Sequence, residues 1–163
     1  MSSTTNILLT TTGLVLLAFV FYDIYSTVLR ATKRQGFLGE LLNRSLWRIF
    51  RAITRNFSRR WRHRVLTSIG PLLMPLLIAT LVSMLITGFA LIYLPRMETD
   101  FNVGEQARGS GILQAFYFSG VTLLTIGYGD IVPVSGAMRI AALIEAASGL
   151  AVISLSITYV NQE

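Results

Sequence analysis

The most informative stretch of this sequence is the run Thr125-Ile126-Gly127-Tyr128-Gly129-Asp130. In an extended strand of L-residues successive carbonyls point to opposite sides, so turning them all to one side requires a positive φ at alternating positions. Glycine adopts a positive φ without steric cost, and Gly127 and Gly129 alternate as this geometry requires. We therefore predict a strand that presents a row of carbonyl oxygens, with the Thr125 hydroxyl below them. The Tyr128 ring would point outward, where its hydroxyl can hydrogen-bond and fix the width of a pore.

Apolar segments surround this run. Residues 7–29, 70–94 and 136–160 each supply the roughly 20 apolar residues that a membrane-crossing helix needs. Residues 112–124 are apolar but too short to cross, so they predict a re-entrant helix. The C-terminal end of such a helix carries partial negative charge, which would stabilise a cation that loses its water beneath the carbonyls. Non-helical backbone at this depth is allowed only where it lines a water-filled cavity or is buried in protein.

The composition is typical of a membrane protein. Of the 163 residues, 53% are hydrophobic and only 13% are charged, so we expect neither a water-soluble enzyme nor catalytic residues. The net charge is +6, and residues 30–64 hold eleven of the fourteen basic side chains. By the positive-inside rule this segment is cytoplasmic, which places the N-terminus outside and the C-terminus in the cytoplasm of a multi-pass protein of the cell membrane. Cysteine is absent, which excludes disulfides and thiolate metal sites.

Residues from about 70 to 159 resemble the pore domain of the potassium channel superfamily, on the strength of the 125–130 run, Arg139 and Gly149. The resemblance implies an all-α integral membrane protein with three transmembrane helices and one re-entrant pore helix per subunit, assembled as a homotetramer. It also implies a potassium-selective channel in which K+ is the permeant ion and no organic cofactor is needed. The expected K+ ligands are carbonyl or hydroxyl oxygens of Thr125, Ile126, Gly127 and Tyr128. The first span and the basic segment resemble a bacterial ion-channel group with an extra N-terminal helix.

The predicted organisation has three parts. Residues 1–29 form an N-terminal transmembrane helix, residues 30–69 a basic cytoplasmic linker, and residues 70–163 the pore domain. Within the pore domain we predict an outer helix (70–95), an extracellular loop (96–110), a pore helix (111–124), the filter (125–130) and an inner helix (136–160). Relatives often continue beyond the inner helix, so these residues are also compatible with the pore part of a longer protein.

The inner helix contains three candidates for a gate or hinge: Gly149, Ile153 and Ile157. Gly149 stands where relatives place a hinge glycine, although small residues also serve close helix packing in membranes. Ile153 and Ile157 share one face with Leu150 at helical spacing. Ile157 could form a hydrophobic constriction that gates by dewetting, and contact with lipid or a neighbouring helix is the alternative.

The basic linker predicts an amphipathic helix that lies in the membrane interface. Its apolar stripe recurs at spacings of three and four through Leu42, Leu46, Ile49, Phe50, Ile53, Phe57 and Trp61. Its opposite face is made of arginines that could bind anionic lipid: Arg44, Arg48, Arg51, Arg55, Arg59 and Arg62. The alternative is that these charges only fix topology. We expect no nucleic-acid partner, because a basic face of that kind would need a soluble core.

Two residues of the expected pore domain are unusual for their positions. Val121 occupies a position where some bacterial relatives hold a glutamate that bonds the filter aspartate, so Asp130 must have a different partner here. Glu145 is ionisable within a span, and we expect a structural hydrogen bond behind the filter or a neutral state rather than ion binding.

The rival functions are a potassium uptake subunit, which carries four pore repeats in one chain, and an arginine-based voltage sensor in residues 44–64. Arginine spacing of mostly four disfavours the sensor.

Overall fold

The computed structural model of the chain describes residues 3–29, 40–41, 44–45 and 69–160. Its helices and strands are, in chain order, α1 (Ser3–Leu29), α2 (Ile69–Tyr93), β1 (Phe101–Val103), α3 (Gly111–Leu123), β2 (Ile131–Pro133) and α4 (Gly136–Val160). Two single 3-10 turns, Leu94–Arg96 and Glu105–Ala107, flank β1. The chain forms two compact units, one made of Met1–Val20 with Leu81–Glu163 and the other of Phe21–Thr80.

Three of the described helices are long and apolar enough to cross a membrane. The spans run Ser3–Ser26, Pro75–Arg96 and Gly136–Ser154, with mean hydropathies of 2.0, 2.3 and 1.6. Helix α3 is also apolar but has only 13 residues, about two thirds of the length that a span needs. The expected all-α membrane fold with one short helix between the last two spans is therefore confirmed.

The ends of α3 are set by local hydrogen bonds. Ser110 caps its N-terminus by accepting a hydrogen bond from Leu113 N, which satisfies one of the free N–H groups of the first turn. At the other end the Leu124 N–H donates to the carbonyl of Gly120 over 3.0 Å, and the chain then leaves the helix. Helix α3 thus delivers the backbone directly into the 125–130 run.

An aromatic cluster holds the end of α2, β1 and α3 together. The rings of Tyr93, Phe101 and Phe118 meet edge to face in all three pairs, with centroids 5.0 to 5.5 Å apart. All three side chains are buried. Edge-to-face pairs of this kind are stabilising beyond the area they bury, so the cluster fixes α3 against the outer helix.

Strands β1 and β2 form a two-stranded antiparallel sheet that was not predicted from the sequence. Its register pairs Phe101 with Pro133, Asn102 with Val132 and Val103 with Ile131. The expected loop 96–110 therefore contains a strand and a 3-10 turn rather than loop alone. The sheet is extended at one end by the Gly104 N–H, which donates to the Asp130 carbonyl over 2.8 Å. This pairing connects the segment after α2 to the end of the 125–130 run.

Helix α1 packs against α2 through a close contact of two glycines. A Cβ added at Gly13 would lie 2.7 Å from the carbonyl oxygen of Gly88, and one added at Gly88 would lie 2.7 Å from Leu17 Cδ2. Small residues permit this close approach of two membrane helices. Val20 of α1 is also fully buried, so the first part of α1 is a packed element of the first unit.

Most of the predicted amphipathic linker lies outside the described residues. This applies to Arg48, Arg51, Arg55, Arg59 and Arg62. Arg44 is described, and its Nη2 lies 3.0 Å from Glu40 Oε1 in an ion pair one helical turn apart. Both side chains are 68% exposed, so the pair contributes little to stability.

Candidate functional site

The backbone of residues 125–130 alternates in sign of φ. Gly127 has a φ of 65° and Gly129 a φ of 78°, and Thr125 adds a third positive value of 56°. No neighbouring atom lies within 4 Å of a Cβ added at either glycine, so the requirement for glycine is conformational and not steric in this chain. Positive φ at the two glycines agrees with the prediction from the sequence, whereas the positive φ of Thr125 was not predicted. A β-branched residue in this region is strained by about 1–3 kcal/mol, so the surroundings must hold it there.

Hydrogen bonds to the last turn of α3 hold this backbone. The Thr125 N–H donates to the Thr122 carbonyl over 3.0 Å, and the Ile126 N–H donates to the Val121 carbonyl over 2.9 Å. The Gly127 N–H also reaches the Val121 carbonyl, at 3.4 Å. Carbonyl groups at the end of a helix have no intrahelical partners, and here they fix the start of the 125–130 run instead.

Asp130 has a partner on α3. The Tyr117 hydroxyl donates to Asp130 Oδ2 over 2.7 Å, and the Ile131 N–H donates to Oδ1 over 3.1 Å. The hydrogen bond to the carboxylate raises the pKa of Tyr117 above its ordinary value, because it stabilises the protonated phenol. This is the different partner that the valine at position 121 requires. The available signal was spacing: Tyr117 lies one helical turn before Val121 on the same face of α3.

Tyr117 also contacts Tyr128, the aromatic residue of the run. The rings of Tyr117 and Tyr128 are stacked, with centroids 6.5 Å apart and an angle of 2° between their planes. The Tyr128 side chain is nevertheless 68% exposed in the single chain. The last two side chains of the run, Tyr128 and Asp130, therefore both contact Tyr117 of α3.

A buried polar cluster lies where α2, α3 and α4 meet. Glu145 of α4 is fully buried, accepts a hydrogen bond from the Tyr93 hydroxyl over 2.8 Å, and contacts the Ser119 hydroxyl. Ser119 Oγ in turn lies 3.0 Å from the carbonyl oxygen of Ile86, to which it donates. Glu145 thus makes the structural hydrogen bonds expected for it, linking the inner helix to the other two.

The three gate and hinge candidates on α4 have different surroundings. A Cβ at Gly149 would overlap the carbonyl oxygen of Leu123, the last residue of α3, so Gly149 has a packing role in this arrangement. Ile153 is 42% exposed and Leu150 is 55% exposed in the single chain. Ile157 belongs to the backbone of α4, and its side chain lies outside the described part. Hinge and gate roles stay predictions.

Residues 79–163 match the family described as Ion channel, and the match includes α3, the 125–130 run and α4. The chain belongs to this ion channel family. The channel chain is therefore a membrane protein and not an enzyme, and the candidate site is a candidate conduction path.

Two curated relatives extend the comparison. The channel chain is 32% identical over 149 residues to the uncharacterized membrane protein YdjJ of Bacillus subtilis (strain 168), a match over 90% of this chain and 41% of the relative. It is 44% identical over 55 residues to the voltage-gated potassium channel Kch of Escherichia coli (strain K12), over 34% of this chain and 13% of that protein. The chain thus spans less than half the length of either relative. No solved structure matches it.

Proposed function

We propose that this chain is one subunit of a potassium-selective channel that conducts K+ passively across the cell membrane. The observation that carries the proposal is the positive φ at every second residue, Thr125, Gly127 and Gly129. This alternation turns successive carbonyls to one side, as a strand that replaces the water shell of a cation requires. The similarity of part of the chain to the potassium channel Kch supports K+ as the permeant ion.

The proposed K+ ligands are backbone carbonyl oxygens of the filter residues 125–128, together with the Thr125 hydroxyl. Their order along the strand would offer a dehydrated ion several equivalent sites, which allows it to enter and also to leave. The end of α3 points its partial negative charge toward the start of the run, which favours a cation there. K+ is the permeant ligand, and no organic cofactor takes part.

Four copies are proposed, because one chain supplies one strand and an ion needs oxygen ligands on all sides. Large apolar residues are exposed on α3 and α4 of the single chain, among them Ile112, Leu113, Ile140 and Leu143. Neighbouring subunits and lipid would cover these side chains. The exposed Tyr128 ring would then lie in the wall of the filter, between the helices of adjacent subunits.

The orientation follows from the basic linker, which we place in the cytoplasm with the N-terminus outside and the C-terminus inside. The β1–β2 sheet and Asp130 would then lie at the outer mouth.

We retain Gly149, Ile153 and Ile157 as gate or hinge candidates. The arginines from Arg44 to Arg62 remain candidates for contact with anionic lipid, with topology alone as the alternative.

Flux measurements test this function. The purified chain is reconstituted in liposomes, and K+ and Na+ fluxes are compared at equal gradients, with empty liposomes as the control. We expect K+ flux with little Na+ flux. Equal fluxes of the two ions would contradict potassium selectivity, and absence of both fluxes from assembled protein would contradict passive conduction. Chemical cross-linking in the same liposomes should give four copies, and a ladder that ends at two or three would contradict the tetramer.

A further inference from the structure

The buried cluster where α2, α3 and α4 meet is formed by Tyr93, Ser119, Ile86 and Glu145. It contains more contacts between oxygen atoms than its hydrogens can serve if Glu145 is ionised. Tyr93 Oη lies 2.8 Å from Glu145 Oε2, Ser119 Oγ contacts Glu145 Oε1, and the same Ser119 Oγ lies 3.0 Å from the Ile86 carbonyl oxygen. The Ile86 carbonyl can only accept. Each hydroxyl has one hydrogen to donate, so the number of hydrogens decides the charge of Glu145.

With an ionised Glu145, two hydrogens would have to serve three contacts. The Tyr93 hydrogen goes to Glu145, and the single hydrogen of Ser119 would have to satisfy both Glu145 and the Ile86 carbonyl. One contact between two oxygens would then lack a hydrogen. With a proton on Glu145 Oε1, each contact has one: Tyr93 donates to Glu145, Glu145 donates to Ser119, and Ser119 donates to the Ile86 carbonyl.

The surroundings of Glu145 also disfavour a charge. Its side chain is fully buried within a helix apolar enough to cross a membrane. Among the described residues, its hydrogen-bond partners are the Tyr93 phenol from α2 and the Ser119 hydroxyl from α3, both neutral groups. The ion pairs formed within the described residues involve other acids, namely Glu40, Asp100 and Glu105. An uncompensated carboxylate in such a place is strongly disfavoured.

We propose that Glu145 carries a proton and is a neutral positioning residue that fastens α3 between α2 and α4. Its effect on conduction rests on the proposed function, whereas its protonation does not. The contact of Glu145 with Ser119 is followed one turn later by the close packing of Gly149 on Leu123. These two contacts, one turn apart, hold α4 against the last turns of α3, from which residues 124–127 extend. Loosening the contact between Glu145 and Ser119 therefore displaces the start of the filter.

Infrared spectroscopy of the reconstituted chain tests the proton directly. A protonated carboxyl has a C=O stretch that is separate from the bands of a carboxylate. We expect this band at neutral pH in the parent protein and its loss in Glu145→Gln. Glu105→Gln is the matched control, because the Glu105 side chain is 87% exposed and pairs with Arg108. Asp23 is also buried, so the decisive quantity is the difference between parent and each variant. An unchanged band in Glu145→Gln would overturn the proposal.

Flux measurements test the positioning role. Glutamine can donate to Ser119 through its amide and accept from Tyr93 through its carbonyl, so Glu145→Gln should keep the K+ flux and selectivity of the parent. Glu145→Leu removes both contacts and should lower K+ flux per assembled channel about tenfold. If Glu145→Gln loses flux as Glu145→Leu does, a charge is required and the proposal is wrong.

A second variant covers the case in which Glu145→Leu fails to assemble. Ser119→Ala removes the hydroxyl that links α3 to Glu145 and to the Ile86 carbonyl, and keeps the contact between Tyr93 and Glu145. It should lower flux in assembled channels while keeping the infrared band. Normal flux in Ser119→Ala would contradict the positioning role. The infrared result stands even if the parent conducts no K+, so failure of this inference and failure of the proposed function are distinguishable.

Discussion

The Tyr117 hydroxyl donates a 2.7 Å hydrogen bond to Asp130 Oδ2 and so ties the middle of α3 to the end of the candidate filter. The same ring stacks on Tyr128, so one side chain of α3 supports two residues of the run. The start of the run is held separately, by backbone hydrogen bonds to the Val121 and Thr122 carbonyls. The two ends of the filter therefore depend on different contacts with one helix, and they can be weakened independently.

Tyr117→Phe should weaken only the outer end. The variant keeps the ring that stacks on Tyr128 and removes the hydrogen bond to Asp130, which leaves a carboxylate with one donor fewer. We expect K+ channels that open normally but stop conducting sooner during sustained opening, as seen in single-channel records. Tyr22→Phe is the control, because the Tyr22 side chain is exposed on α1. Open durations equal to those of the parent would show that Tyr117 does not hold Asp130 in the conducting state.

The same hydrogen bond predicts a response to alkaline pH. Because the bond to Asp130 raises the pKa of Tyr117, its stabilising effect is fully present below the ordinary tyrosine value of about 10. It is lost only as the pH rises through the higher value of the folded state. We expect a component of the alkaline loss of K+ flux in the parent that is absent from Tyr117→Phe, measured in liposomes across this range. Superimposable alkaline profiles would exclude Tyr117 as its source.

The features predicted from the sequence are those that depend on local pattern. Long apolar segments predict α1, α2 and α4, and an apolar segment too short to span predicts α3. Alternating glycines predict positive φ at Gly127 and Gly129. Each of these inferences needs only neighbouring residues, because membrane-crossing length and glycine backbone freedom are properties of short stretches.

The features that were not predicted depend on backbone contacts, on very short strands or on the packing of separate elements, none of which a local sequence pattern shows. The positive φ of Thr125 contradicts the preference of a β-branched residue, and contacts with the end of α3 must impose it. Strands of three residues, such as β1, are too short to show an alternating pattern. The partner of Asp130 could be inferred to be different from the usual one, but Tyr117 is identified only once α3 and the filter are placed in space.

Gly127→Ala tests the backbone geometry of the filter. An alanine at a φ of 65° is strained by roughly 1–2 kcal/mol, and the strain would recur in each of four strands. We expect K+ flux to collapse while the protein still assembles. Gly136→Ala is a matched control, since a Cβ there also meets nothing within 4 Å but no positive φ is required. Equal losses in the two variants, or normal flux in Gly127→Ala, would contradict the carbonyl-lined path.

Gly104→Pro tests the link between β1 and the filter. Gly104 has a φ of −62°, which proline adopts, so the substitution does not strain φ. It removes the N–H that donates to the Asp130 carbonyl and places the proline Cδ against the same oxygen, so the carbonyl must move away. A net loss of about 1 kcal/mol is expected, or roughly a fivefold shift toward non-conducting channels in steady-state recordings. Gly104→Ala keeps the N–H and adds a Cβ 3.1 Å from the same oxygen, so it controls for crowding. If both variants behave alike, crowding and not the hydrogen bond is responsible.

Gly149→Ala distinguishes packing from a hinge. Its Cβ would overlap the Leu123 carbonyl, so α3 and α4 would have to separate, at a cost typical of overpacked cores, about 1–3 kcal/mol. A packing role predicts a lower thermal unfolding midpoint and altered filter behaviour. Gly120→Ala is the control, because its Cβ would lie 3.9 Å from Ile86 Cδ1 and alanine favours a helix interior. A hinge predicts the opposite pattern: Gly149→Ala would unfold at the parent's midpoint, keep its selectivity and open less often. Thermal unfolding in detergent together with single-channel open probability therefore decides between the two roles.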